Sequence, residues 1–272
     1  VLTKVDRVDA ARLREAREAL LALLRVEEAS DAPVFEISAP AGIGVEPLRQ
    51  HLADVARALP ARNTDAGFRF AIDRAFTSAG AGLVVTGTQL SGSVQPGDEL
   101  RVAPGGSAVR VRGLQRHGRS VPRAVNGERC AINLAPVAGE KLEVERGDWL
   151  VSAALLAPTR RMDVSWQGAA ATTDELPSVP PTGGETRRHL HLHIGTAVRN
   201  ARLITLLDSR YAQLLLDHPV SAQRGDRFLL RDPAAQRLVG GGIVLDAQAP
   251  ERGRARPERL ADLEALAVDD PT

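Results

Sequence analysis

The chain of 272 residues has one cysteine, one methionine, one tyrosine and two tryptophans, and aromatic residues make up 3% of it. The lone Cys130 excludes an intrachain disulfide and fits a reducing compartment, which points to the cytoplasm. Lys4 and Lys141 are the only lysines among 35 basic residues, so arginine carries almost all the positive charge. Base composition of the coding sequence accounts for that bias as readily as RNA binding does. A formal net charge of +1 excludes a globally basic nucleic-acid binder, so any such affinity must come from local patches. No apolar run approaches the roughly 18–20 residues of a membrane span, and no charged-then-apolar signal segment opens the chain. The pattern Gly-x-x-x-x-Gly-Lys-Ser/Thr is missing as well. Lys4 follows Thr3 and Lys141 follows Glu140, so neither can be the lysine of a phosphate-cradling loop.

What is present is ordinary for globular domains. Apolar residues are 43% and charged residues 25%, and the length suits one large or two to three small domains with real cores. Asp9 can cap a helix over about Ala10–Ala29, with Leu13, Leu20 and Leu24 on one face and Ala16 and Leu23 beside them. A short strand at Val34–Ser38 follows. Pro47 then suits the first turn of a second helix carrying Leu48, Leu52, Val55 and Leu59. Residues 1–59 therefore read as the closing portion of a parallel α/β sheet. With most of that sheet missing, the two helices are expected to leave apolar faces exposed.

After a polar stretch at Pro60–Gly67, short strands with Gly/Pro turns take over, the pattern of a small antiparallel barrel. Phe68, Phe70, Ile72 and Phe76 share one parity, and Arg74 falls on it too. Asp73-Arg74 places an acid and a base inside an apolar strand, where charge needs a partner. Both can line one pocket only if the strand ends or bulges there. Gly97-Asp98, Gly147-Asp148 and Gly225-Asp226 repeat one turn chemistry. Arg110, Arg112, Arg116, Arg119 and Arg123 fall in a segment with no acid, which reads as a solvated strand edge or as a phosphate contact. Leu176–Gly184 reads as a linker by composition. In Arg188–Gly195, His189, His191 and His193 alternate with Leu190, Leu192 and Ile194, a polar barrel face in preference to a zinc site. Strand patterns continue to Val244, and Gly240-Gly241-Gly242 suits close backbone approach. Glu251–Arg259 reads as a solvated charged connector, and Arg259–Leu266 as the start of a helix.

The sequences Ile72–Thr77 (IDRAFT), Gly80–Gly82 (GAG), Val84–Thr88 (VVTGT) and Ser91–Asp98, in order and closely spaced, resemble the second domain of SelB, the selenocysteine-specific elongation factor family. Thr3-Lys4-Val5-Asp6 resembles the guanine-reading Asn-Lys-x-Asp motif with Thr in place of Asn, and Ser38-Ala39 resembles the second base-contacting loop. Taken alone, the first motif also fits a capped strand-to-helix loop. The resemblance implies the rear of a P-loop GTPase sheet (residues 1–59), two antiparallel β-barrels (66–158 and 159–250), and a connector (251–272) toward a winged-helix region. It implies GTP as cofactor, with Mg²⁺ in the intact family but no ligands for it here. It implies selenocysteinyl-tRNA and the ribosome as partners, an mRNA hairpin through further domains, and no membrane.

In this family a pocket on the first barrel carries an Asp and an Arg on its first strand and a later basic residue. Asp73, Arg74 and Arg129 match them, Arg110 and Arg112 are candidate tRNA contacts, and Cys130 reads as a buried strand residue. A selenol is a stronger acid than a thiol, so selenocysteine is mostly anionic at neutral pH and suits two guanidinium groups. An ordinary salt bridge within the barrel is the plainer reading of the same residues. The chain reads as a fragment that acts by binding and not by bond-making, contributes to guanine recognition through an incomplete site, and is expected to have no GTPase activity alone. Another translational GTPase, the GTPase subunit of a sulfate-activating enzyme, and a barrel scaffold for protein partners remain open.

Overall fold

The computed structural model describes residues 1–26, 29–59, 66–137, 142–168, 188–206, 208, 210–234, 237–254 and 256–268. The stretch Leu176–Gly184, Lys141, and most of the polar stretch after Leu59 lie outside these residues. Two compact units make up the chain.

The first unit holds β1 (Leu2–Thr3), α1 (Ala10–Val26), β2 (Glu36–Ile37) and α2 (Val45–Ala58). The strands pair in parallel, Leu2 opposite Glu36 and Thr3 opposite Ile37. Asp9 caps α1 by accepting the Arg12 N–H at 2.8 Å. α1 ends at Val26, short of the expected Ala29, and Leu23 is exposed instead of packed. Leu52, Val55 and Leu59 along α2 are 58%, 44% and 61% exposed, so its apolar stripe faces no core. That is the exposed face expected of two helices on a two-stranded sheet.

The second unit contains both barrels. Its first nine strands are β3 (Arg69–Ser78), β4 (Gly82–Ser91), β5 (Ser93–Val94), β6 (Glu99–Ala103), β7 (Ser107–Arg116), β8 (Arg119–Ser120), β9 (Ala124–Val125), β10 (Arg129–Pro136) and β11 (Trp149–Val151). The order β10-β4-β3-β11-β6-β7, with β7 pairing back to β10, closes a six-stranded antiparallel barrel. Phe70, Ile72, Val85, Val109, Ile132 and Leu150 fill it. The second barrel is closed by β12 (Pro158–Gly168), β13 (Arg188–Ile194), β14 (Ala197–Thr205), β15 (Tyr211–Ser221), β16 (Arg227–Arg231) and β17 (Leu238–Asp246) in the order β12-β15-β14-β13-β16-β17. Its core includes Met162, Val164, Leu192, Ile194, Leu214 and Leu230. Leu190, Leu192 and Ile194 point inward, as the alternation in β13 requires. On β17, a Cβ on Gly242 would come within 1.9 Å of the Ser165 carbonyl oxygen, which is why glycine stands there.

The three Gly-Asp turns are built alike. The aspartate carboxylate accepts the N–H three residues earlier, at Gln95 (2.9 Å), Glu145 (2.9 Å) and Gln223 (2.8 Å). In each the preceding glycine has positive φ, between 87° and 101°. The last two turns both lie where the barrels touch, Gly147 against Ala197 and Asp226 against Arg69. The Arg69 guanidinium, 8% exposed, forms two hydrogen bonds to the Asp226 carboxylate at 2.8 and 2.6 Å. It also lies 4.6 Å from the ring centroid of Trp149, which is buried.

The helix α3 (Pro257–Val268) packs Leu260, Leu263 and Leu266 against Tyr211 and Leu245 of the second barrel. Arg259, expected in a solvated connector, is instead 13% exposed and bridges Asp163 and Asp246, each at 2.6 Å. Asp163 is fully buried and also accepts the Gln213 amide at 2.9 Å. The charge was visible in the sequence, but its partners come from strands 96 and 13 residues away.

Candidate aminoacyl and guanine sites

The register of β3 against β4 shifts between Ile72, opposite Gly87, and Arg74, opposite Thr86. Asp73 is the extra residue, so a β-bulge sits at the acid–base pair. The bulge reverses the parity of the strand. Before it, Phe68, Phe70 and Ile72 enter the core. Beyond it Ala75 does, and Phe76, expected on the core face, is 48% exposed. Arg74 is exposed for the same reason.

The bulge aims the half-buried Asp73 at two donors. Thr86 Oγ1 donates to Asp73 Oδ1 at 2.6 Å. Arg129 reaches across β4 from β10, with Nε donating to Oδ2 at 3.1 Å and Nη2 to Oδ2 at 2.9 Å. Burial alone would raise the Asp73 carboxyl. The Thr86 and Arg129 hydrogen bonds and the charges of Arg129 and Arg74 outweigh it and hold the carboxyl below the usual range. Arg129 is 58% exposed and Asp73 23%, so the pair sits on the outer surface of the barrel and not in its interior. Among the described residues Arg74 has no hydrogen-bond or ion-pair partner. Cys130, next to Arg129, points inward, and burial followed by the Glu128 charge pushes its thiol up to about 11. It is a core residue without thiolate character at neutral pH.

In the first unit, parallel pairing carries two loops off the same ends of β1 and β2. Lys4, at φ 62° and ψ 34°, turns the chain into a 3-10 turn at Val5–Arg7, leaving Lys4 and Asp6 exposed. Beyond β2, Ser38 is buried. Its N–H donates to the Ile43 carbonyl at 3.0 Å and its Oγ accepts from Ala41 at 3.4 Å, while Ala39 is exposed. Thr3 pairs with Ile37, so the two loops emerge side by side. The exposed Asp6 carboxylate therefore lies on the same side of the strand pair as the Ser38-Ala39 loop.

The arginine run is less free than its sequence indicates. Arg110 pairs with Glu99 across β6 and β7, and Arg116 pairs with Glu128. The fold supplies the acids that the segment lacks. Arg112 stays exposed. His189, His191 and His193 line the outside of β13, and burial, then the charges of Arg231 and His191, hold His193 below its ordinary value. Among the described residues no group of three His, Cys, Asp or Glu side chains could hold a metal ion. No helix there is long and apolar enough to cross a membrane.

Two family models match the barrels: the Elongation factor Tu domain 2 over residues 82–151, and the β-barrel domain of the selenocysteine-specific elongation factor over residues 185–251. The selenocysteine-specific elongation factor of Escherichia coli K12 is 37% identical over 98% of this chain and 41% of its own length. That of Haemophilus influenzae is 31% identical over the same shares. Over nearly its whole length the chain is similar to the selenocysteine-specific elongation factors. It spans about two fifths of the curated relatives it matches. A crystal structure of the bacterial selenocysteine-specific elongation factor EF-Sec superposes with a TM-score of 0.78 at 26% identity, covering 99% of this chain and 44% of the other. The apo SelB of Methanococcus maripaludis has the same fold, at a TM-score of 0.73 and 24% identity, over 90% of this chain and 57% of its own.

One residue beside Asp73 carried no signal in the sequence. Thr86, which holds Asp73, lies inside VVTGT, but nothing in that string marks a hydroxyl aimed at a bulge 13 residues earlier. Gly87 did carry one. A Cβ there would sit 2.0 Å from the Ala71 carbonyl oxygen, so the glycine marks the close approach of β3 and β4 at the bulge. Arg69, a charge in an apolar strand, could have been flagged on the same ground as Asp73-Arg74.

Proposed function

We propose that this chain recognises the aminoacyl end of selenocysteinyl-tRNA through Asp73, Arg74 and Arg129. As part of a cytoplasmic elongation factor it delivers that tRNA to the ribosome at recoded UGA codons. The observation that carries this reading is the bulge at Asp73. It sets a carboxylate-oriented guanidinium, Arg129, and Arg74, which has no partner among the described residues, around the same acid on an open face of the barrel.

The chemistry follows from charge. Asp73 fixes the plane of Arg129 and is itself held by Thr86. An arriving selenolate takes charge-assisted hydrogen bonds from the remaining N–H groups of Arg129 and from Arg74, bonds about twice as strong as neutral ones. Both guanidinium groups are exposed before the ligand arrives. They lose water only when it covers them, so a neutral seryl side chain leaves desolvated charge unpaired. A penalty of that kind discriminates more strongly than a difference in size.

Thr3, Lys4, Asp6, Ser38 and Ala39 are assigned to guanine. Asp6 accepts from the N1–H and exocyclic amine, the stem of Lys4 covers the base plane, and the Ser38-Ala39 loop offers backbone N–H groups to O6. GTP supplies the energy of the delivery cycle when bound. The phosphate-cradling pattern does not occur in this sequence, and we assign the chain no Mg²⁺ ligands and no GTP turnover by itself. Residues 1–59 are the rear of the GTPase domain, 66–158 and 159–250 the barrels, and 251–272 the connector toward an mRNA-hairpin-binding region. Arg112 is the exposed member of the proposed tRNA contact, without a partner among the described residues, and Arg110 must exchange Glu99 for a phosphate.

The test is a binding comparison of selenocysteinyl- and seryl-tRNA with the chain and with its Arg74→Ala and Arg129→Ala variants. The expected result is a preference of at least about a hundredfold for selenocysteinyl-tRNA, reduced by either substitution. Equal affinity for both tRNAs overturns the reading and favours a general elongation factor.

A further inference from the structure

The peptide group joining Ile72 to Asp73 is held from the other barrel. Its carbonyl oxygen accepts the Gly147 N–H at 3.2 Å and the Thr196 hydroxyl at 2.6 Å. Thr196 sits with Gly195 in the two-residue turn between β13 and β14. That turn is seated on Trp149. Gly195 has φ +56°, and a Cβ on it would come within 2.5 Å of the Trp149 ring. Trp149 in turn lies against Arg69, which is bound to Asp226 of the second barrel. The seat on Trp149 and the clasp formed by Arg69, Asp226 and Trp149 therefore fix where the Thr196 hydroxyl lies, and the hydroxyl fixes the peptide at which the bulge begins. On the far side of the same strand, Ile72 lies opposite Gly87, where there is no room for even a methyl group.

We infer that Thr196, supplied by the second barrel, is a positioning residue for the Asp73–Arg129 pair on the first. The inference rests on the aminoacyl reading above. A hydroxyl donating to the Ile72–Asp73 carbonyl holds that peptide plane, and the plane sets the direction in which Asp73 leaves the strand. Asp73 in turn sets the plane of the Arg129 guanidinium. Selectivity for the amino-acid side chain thus depends on the docking of two barrels, although every group proposed to touch the ligand belongs to one. Removing the hydroxyl leaves no orphan, because Gly147 still donates to the carbonyl. The substitution therefore perturbs orientation more than folding.

Thr196→Val and Thr196→Ser, with Asp73→Asn as reference, test this in the whole chain. In Thr196→Val the preference for selenocysteinyl- over seryl-tRNA should fall about three- to tenfold, the worth of one ordinary hydrogen bond. Thr196→Ser should restore it. Hydrogen exchange in the free protein should quicken around residues 73–75 in Thr196→Val and not in Thr196→Ser, a readout that needs no tRNA. If Asp73→Asn lowers the preference while Thr196→Val changes neither preference nor exchange, the positioning role is overturned. If Asp73→Asn leaves the preference unchanged, the aminoacyl reading itself fails, and the exchange result still decides whether Thr196 holds the bulge.

Discussion

Asp226→Ala should loosen the joint between the barrels. The Arg69 side chain is 8% exposed, and both of its hydrogen bonds in the clasp go to Asp226. Its Nε is buried with no partner already. Truncating Asp226 leaves a buried cation held only by the face of Trp149. Breaking one side of a buried pair costs about 3–5 kcal/mol. The lost acceptor for the Gln223 N–H adds about 1 kcal/mol. Against a domain stability of roughly 5–15 kcal/mol that is a large fraction. Asp226→Asn keeps an oxygen for the turn and separates the two contributions. The double variant Arg69→Met/Asp226→Asn removes the charge on both sides and should recover at least about 2 kcal/mol relative to the sum of the single changes. Urea unfolding followed by tryptophan fluorescence reads this directly, since Trp149 and Trp166 are the only tryptophans and a Trp166→Phe background isolates the one in the clasp. A loss below about 1 kcal/mol for Asp226→Ala, or strict additivity in the cycle, would refute the claim that the pair is buried and unsupported.

Gly87→Ala drives a methyl group to 2.0 Å from the Ala71 carbonyl oxygen and 2.8 Å from the Phe70 ring, so it should cost about 3 kcal/mol in thermal or urea unfolding. Arg259→Ala strands the fully buried Asp163 with only the Gln213 amide, and should release α3, seen as lost exchange protection over Pro257–Val268. In that background Asp163→Asn should restore part of the protection. On acidification, the depressed His193 contributes stability that is complete above its unfolded value near 6.5 and is lost as pH falls below it, so His193→Gln should flatten that part of the urea-midpoint profile. Asp73, also depressed, contributes stability lost only below about pH 4, visible as the difference from Asp73→Asn, while buried Asp148, raised by its burial, works in the opposite direction.

Much of the fold was legible because its signals are local. The Gly-Asp turns, the alternation in β13 and the Asp9 cap each follow from a few adjacent residues, and the structure forms them accordingly. The register of β3 was not legible. Parity counted along an unbroken strand puts Phe76 inside, and one extra residue at Asp73 puts it outside. The sequence announced only the condition for a bulge, through two charges that needed one face. Partners at long separation were invisible for the same reason. Arg69 and Asp226 are 157 residues apart, and Arg259 and Asp163 are 96 apart, so arginines that read as solvated or unexplained turn out to be buried and paired. The arginine run erred in the same direction, since Glu99 and Glu128 arrive from neighbouring strands and turns. In the candidate site the acid and both bases were legible as types, while Thr86 and Thr196, neutral hydroxyls with no pattern around them, were not.

The most direct test of charge recognition is the preference for selenocysteinyl- over cysteinyl-tRNA as a function of pH. The two side chains are nearly the same size and differ in acidity. If Arg74 and Arg129 read negative charge, the preference is large near pH 7 and shrinks as pH rises past about 8.5, where the thiol ionises. A preference that stays constant across that range would mean that the site reads shape, and would contradict the account.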